Sequence, residues 1–292
     1  MIRKLSIAAL GLAFAASANA VYMPPGGPLV VNFANLEQIS STNAIVSPSG
    51  ANEGNWGVFR VNTIYQGATP IPANQMFSTT GLPIFNDSAT SQISGIFWGA
   101  TAIAPPAYCS TCLDSTGGYL DMWWQDPSAG GTLADTGTAT PGMRLTDNTF
   151  TNFTDGTFLG RLAFASGIDP LSANVFIRGS LVPTSSGGVG SADSFGNVVD
   201  VNGDGVIDSA DGAWATLLNE DFFNTTFGTR DIRLSNVYTL PQTTWDGAAG
   251  TNIFGANSFD PIRAYAVPEP GSLALLGISL LGLAGLRRKN RS

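Results

Sequence analysis

Four carboxylates and one carboxamide crowd into twelve residues: Asp200-Val201-Asn202-Gly203-Asp204-Gly205-Val206-Ile207-Asp208-Ser209-Ala210-Asp211. That spacing suits a hard divalent cation. Calcium takes six to eight oxygens, and a twelve-residue loop supplies them from positions 1, 3, 5, 7, 9 and 12. In this chain those positions are Asp200, Asn202, Asp204, the Val206 carbonyl, Asp208 and Asp211. Gly205 stands at position 6, where the loop turns sharply, and Ile207 at position 8 would pin it to a core. A calcium site is therefore predicted, against the plainer alternative of metal-free Asx turns.

The loop resembles the calcium loop of dockerin modules, which also end in Asp at position 12. The resemblance implies an exiting helix, for which Ala213-Trp214-Ala215-Thr216-Leu217-Leu218 is the candidate. Dockerins carry two such segments and this chain shows one. A structural loop inserted between strands is thus expected, rather than a cohesin ligand.

Cys109-Ser110-Thr111-Cys112 is the other compact constellation. Such a pair can be a redox motif, half a zinc site or a local disulfide. Zinc needs two more thiolate or imidazole ligands, and there are none. The pair follows Pro105-Pro106-Ala107-Tyr108 and precedes Gly117-Gly118, so it lies in a loop and not at a helix start after a strand. A loop-stapling disulfide is expected. Trp123-Trp124, near Tyr119 and Asp121, offers aromatic faces on which a sugar could stack. Adjacent strand residues point to opposite faces, however, so at most one ring serves any one surface. Asp114, Asp121 and Asp126 are acids available for glycosidase-type pairing, but no spacing fixes two of them across a bond. Asp126 before Pro127 and Asp155 before Gly156 read as turn residues.

Composition removes whole classes of chemistry. The chain has no histidine, and its lysines are confined to Lys4 and Lys289. Ser-His-Asp and Cys-His catalysis, histidine-bound zinc and a lysine Schiff base within residues 21–270 are excluded together. Without its two ends the chain keeps seven arginines against 21 acids, a net charge of about −14. A field of that sign disfavours nucleic acid and anionic membrane surfaces.

The elements that must position these residues are strands. β-branched and aromatic runs lie at 58–65, 92–104, 119–125, 157–165, 174–182 and 231–240, separated by Gly, Pro, Asn and Asp clusters. Strands at this spacing suggest an antiparallel sandwich or barrel, and a jelly-roll-like β-sandwich over residues 21–266 is the expectation. Only 210–223, apart from the chain's two ends, looks helical. The Gly/Ser stretch 185–191 reads as a loop.

Both ends carry addresses. Arg3 and Lys4, the apolar stretch 5–16 and Ala18-Asn19-Ala20 make residues 1–20 a signal peptide for a signal peptidase. At the other end stand Pro268-Glu269-Pro270, an apolar run of 14 residues from Leu273 to Leu286, and Arg287-Arg288-Lys289. As a helix that run spans ~21 Å, short of a ~30 Å hydrocarbon core. Pro268 and Pro270 keep the strip before it extended, where a peptidase can grip it. The ending resembles the PEP-CTERM sorting signal of Gram-negative bacteria, with 267–292 as the tail. The resemblance implies transient inner-membrane anchoring, recognition and cutting by an exosortase, and delivery to the cell surface or exopolysaccharide matrix. The chain is thus expected to be an exported, non-enzymatic surface, matrix or biofilm protein with a structural calcium ion, open to glycosylation on Ser and Thr. A carbohydrate-binding module and, further off, a carboxylate-dependent glycan hydrolase are the alternatives.

Overall fold

The computed structural model describes residues 21–67, 79–180 and 187–266. The signal peptide with Ala18 and Ala20, and the tail with Pro268, Glu269, Pro270, Arg287, Arg288 and Lys289, lie outside the described residues.

Eight long strands follow one another: β1 (Gly27–Ile39), β2 (Asn55–Gly67), β3 (Gln92–Ile103), β4 (Tyr119–Gln125), β5 (Thr157–Ala165), β6 (Gly188–Val198), β7 (Ile232–Leu240) and β8 (Phe254–Ala266). Each pairs antiparallel with the next in the chain. β8 then returns to β1 along its whole length, from Gly27↔Ala266 to Ile39↔Phe254. The result is a closed up-and-down barrel.

This corrects the expected jelly-roll-like sandwich. A sandwich keeps two separate sheets, whereas here every one of the eight strands has a neighbour on both sides. Closure leaves the eight barrel strands without an open edge, and a further strand, Thr79–Asn86, is paired to β2 alone.

Alternation decides which side chains fill the barrel. On β1, Leu29, Val31 and Phe33 point inward and meet Phe59, Val61, Ile93, Leu120, Leu162, Leu234 and Ile262. Two glycines make this filling possible. A Cβ on Gly57 would stand 2.4 Å from the Leu36 carbonyl and 2.6 Å from the Phe97 ring. One on Gly95 would stand 2.4 Å from the ring of Phe59. Each glycine is thus the floor on which a phenylalanine of the adjacent strand lies.

The barrel has two distinct ends. Gly27 and Ala266 mark the near end, where the segments β2–β3, β4–β5 and β6–β7 also turn. A short helix, α1 (Ala215–Leu218), closes it with Trp214, Leu217 and Leu218 pressed into the apolar filling. Trp214 Nε1 donates to the Tyr22 carbonyl at 2.8 Å, tying the plug to the chain just before β1. The helix expected over 210–223 is therefore only one turn long, preceded by a 3₁₀ turn at Ser209–Asp211 and followed by the extended Phe223–Thr225. Gly212 (φ +132°) and Asp221 (φ +50°) break the helical path on either side.

At the far end β4 and β5 stop short. The short strands Leu113–Thr116 and Ile177–Gly179 fill their place between β3 and β6. Of the described residues 174–180 in the run expected at 174–182, Ile177–Gly179 are strand, while Gly188–Ser191 belongs to β6 and not to a loop.

The long segment between β4 and β5 folds back over the outer wall. Phe150 and Phe153, with Trp245, cover Trp56, Val58, Ile96 and Trp123. Arg144 fastens it, bonding Glu53 through both carboxylate oxygens at 2.6 and 3.0 Å and lying 4.4 Å over Trp56.

Candidate functional site

The acidic loop lies between β6 and the plug. Its turn is as the spacing requires, with Gly203 at φ +76° and Gly205 at φ +88°. Asp200 accepts from the Gly203 and Gly205 N–H groups, both at 2.6 Å. Asn202, Asp204 and Asp208 each accept from the backbone two residues on, in three successive Asx turns. Asp211 is buried and differently employed. One oxygen accepts from Val201 and Asn202, the other from Asp208, so position 12 ties the base of the loop together. Those N–H bonds hold its carboxyl below the usual range despite burial. Val206 is exposed. Among the described residues, no group of three or more acids, cysteines or histidines is gathered tightly enough to hold a metal ion. The loop is closed by its own backbone.

Cys109 and Cys112 are joined in a disulfide in the far-end loop, Cα to Cα 5.4 Å. That loop is braced by ions. Arg178 forks onto Asp114 at 2.9 and 2.7 Å and reaches Asp169 at 2.9 Å. The Tyr108 hydroxyl also donates to Asp169. Asp121 is held in the same way by Arg161, at 2.7 Å to each oxygen. Both buried acids are strand residues committed to an arginine, and Asp126 caps the turn Pro127–Ala129.

Trp123 and Trp124 do face opposite sides of the wall, and both are buried. Trp124 joins the barrel filling and Trp123 the layer outside it. Neither offers a ring to a sugar. The half-buried aromatic pair that faces outward is Trp98 and Tyr119, with ring centres 4.9 Å apart. Arg161 stands 5.3 Å over the first and 5.4 Å over the second, beside a shallow groove that also includes Ser49, Leu145 and Asn148.

A cavity lies inside the barrel, in its far half. It measures about 60 Å³ and is walled by Phe33, Phe97, Leu120, Phe164 and Leu234, with Asn35, Glu37, Asn55 and Asn236 among its polar residues. Glu37 is 2% exposed. Asn55 Nδ2 donates to its Oε2 at 3.1 Å, while Oε1 has no hydrogen-bond partner. The Ser258 hydroxyl, which donates to Asn35 Oδ1, also interacts with the Glu37 carboxylate. Asn55 Oδ1 is likewise buried and without a partner. Burial pushes the Glu37 carboxyl up to about 7, against smaller lowering by Asn55 and Ser258.

Sequence reasoning passed over this site. The visible signal is parity: Asn35 and Glu37 continue the inward series Leu29, Val31, Phe33 two residues at a time.

Residues 266–289 match the PEP-CTERM protein-sorting motif. No curated protein and no solved structure matches the chain. The motif marks the protein as exported through the membrane-anchored route that an exosortase processes. Its first residue, Ala266, is also the last residue of β8, paired with Gly27.

Proposed function

We propose that the barrel is a non-catalytic cell-surface or extracellular-matrix module, braced by one calcium ion in the loop Asp200–Asp211. The observation that carries this reading is the seamless join between β8 and the sorting motif at Ala266, which makes the barrel the cargo of the sorting route. Two further features support it. Asp114 and Asp121, the buried acids best placed for acid/base work, are neutralised by bidentate arginines, and among the described residues no second carboxylate lines the cavity around Glu37. The loop keeps ligand types at all six calcium positions and the sharp turn at Gly205.

Cell fractionation of the native host with intact-mass analysis tests the reading. Surface or matrix material should begin near Val21 and end close to Pro268–Gly271. Mature protein that still carries Leu273–Leu286, or that stays in the inner membrane, would overturn it. A second reading, glycan binding, is favoured by one feature, the outward Trp98–Tyr119 pair beside its shallow groove. A glycan array distinguishes the two: binding lost in Trp98→Ala supports recognition, and no binding supports the structural role.

A further inference from the structure

We propose that the far-half cavity is a binding site for a small primary ammonium ion with a short apolar body, its N–H donors shared between Glu37 Oε1 and Asn55 Oδ1. The two buried polar atoms without partners at this cavity are both acceptors, so what is missing is a donor. Leaving a buried acceptor unsatisfied costs ~1–3 kcal/mol, more for a charged group, so an occupant that donates to both is favoured. A cationic donor is favoured over a neutral one, because a charge-assisted bond to a carboxylate is roughly twice as strong.

The surroundings select the rest of the ligand. Among the described residues no basic side chain lines the cavity and Tyr238 is the one other titratable group there, so none of them is a counter-ion for Glu37. The walls beyond the carboxylate are Phe33, Phe97, Leu120, Phe164 and Leu234, which suit a hydrocarbon and not a second polar group. Volume sets the upper limit. At about 60 Å³ the space holds a few waters or a ligand of a few heavy atoms. Water is the competing occupant: it can donate to both acceptors, but it leaves the negative charge uncompensated and the apolar wall wet.

Eight-stranded barrels either fill with side chains or leave room for one small ligand. This one does both. Its near half is packed and plugged by α1, and its far half keeps the cavity around a carboxylate.

Titration calorimetry of the mature exported protein with n-propylammonium chloride tests the proposal, with 1-propanol and sodium chloride as controls. The expected result is saturable binding of the ammonium ion alone. Because the ligand takes the ionised form of Glu37, apparent affinity should rise about tenfold from pH 6 to pH 8. Close to one proton should be released per ligand at pH 6 and few at pH 8, read from heats in two buffers of different ionisation enthalpy. Glu37→Gln, checked for folding by its melting curve, should weaken binding at least tenfold and flatten its pH dependence. Equal binding by Glu37→Gln, equal binding of 1-propanol, or no saturable binding by the wild type would each overturn the proposal. If the variant does not fold, the wild-type proton count decides, since binding at pH 6 without proton release excludes Glu37 as the anchor.

Discussion

A single buried carboxylate should govern how this protein responds to pH. Glu37 is raised from 4.5 to about 7, chiefly by burial, so between those values the folded state holds a proton that the unfolded chain has released. Stability from this group is therefore greatest below about pH 4.5 and falls as pH rises towards 7. Over that window the loss amounts to about 3 kcal/mol at most. Glu37→Gln keeps the shape and removes the charge. It should melt close to wild type at pH 4.5 and higher than wild type at pH 8, as scanning calorimetry at the two pH values will show. A wild type that gains on the variant as pH rises would contradict this account of the group. Gly57, paired with Glu37 across the strands, gives a prediction of the opposite sign. Its missing Cβ is where Phe97 and the Leu36 carbonyl already stand, so Gly57→Ala forces the wall apart. Overpacking of that kind costs ~1–3 kcal/mol, which urea denaturation would read as a lower midpoint.

At the scale of elements, the segment between β4 and β5 depends on one arginine. Arg144 and Glu53 are both almost wholly buried and bonded through two oxygens. Arg144→Ala would leave Glu53 as an uncompensated buried charge, at a cost of roughly 3–5 kcal/mol. Limited proteolysis should then cut within 126–156, where the wild type resists. The acidic loop gives a second test. With calcium at ten times a dissociation constant of ~0.1–1 mM, native-state binding adds about 1.4 kcal/mol and ~2–4 °C in melting temperature. Magnesium should do less, and Asp204→Ala should abolish the response. Equal melting in calcium and chelator would leave the loop closed by its Asx turns alone. How much of this was open to reading follows from range. The runs at 58–65, 92–104, 119–125, 157–165 and 231–240 became β2, β3, β4, β5 and β7, because alternation and turn residues are local signals. β1, β6 and β8 went unread. Asn32 and Asn35 interrupt the first, glycines at 188, 190 and 196 the second, and Asp260-Pro261 the third. Jelly-roll sandwich and up-and-down barrel differ in which strands pair over long range, here in the meeting of β1 with β8, which no local pattern encodes. The cavity was hidden for the same reason, since parity places Glu37 on a face but only closure makes that face an interior.

On the scale of the whole molecule, the two ends of the barrel differ in their distance along the chain from the sorting motif, which begins at the near end. Gly27 and Ala266 are paired at the near end, so β1 begins beside the residue at which the sorting motif starts. In the precursor anchored by its tail, the far end, with the disulfide loop and the cavity half, should point away from the membrane. A single cysteine at Leu171, exposed at the far end, should react with a bulky membrane-impermeant maleimide in that precursor. One at Val206, exposed at the near end, should react much more slowly until the tail is cut. Equal labelling at both positions before processing would show that the barrel does not stand on its near end. The pairing of first strand with last also sets a clock. β1 enters the export channel early but meets β8 only when almost the whole body has followed it. Such long-range pairing is slow and has to wait for loop closure. Closure of the barrel therefore waits for its last strand, the one that runs directly into the sorting motif.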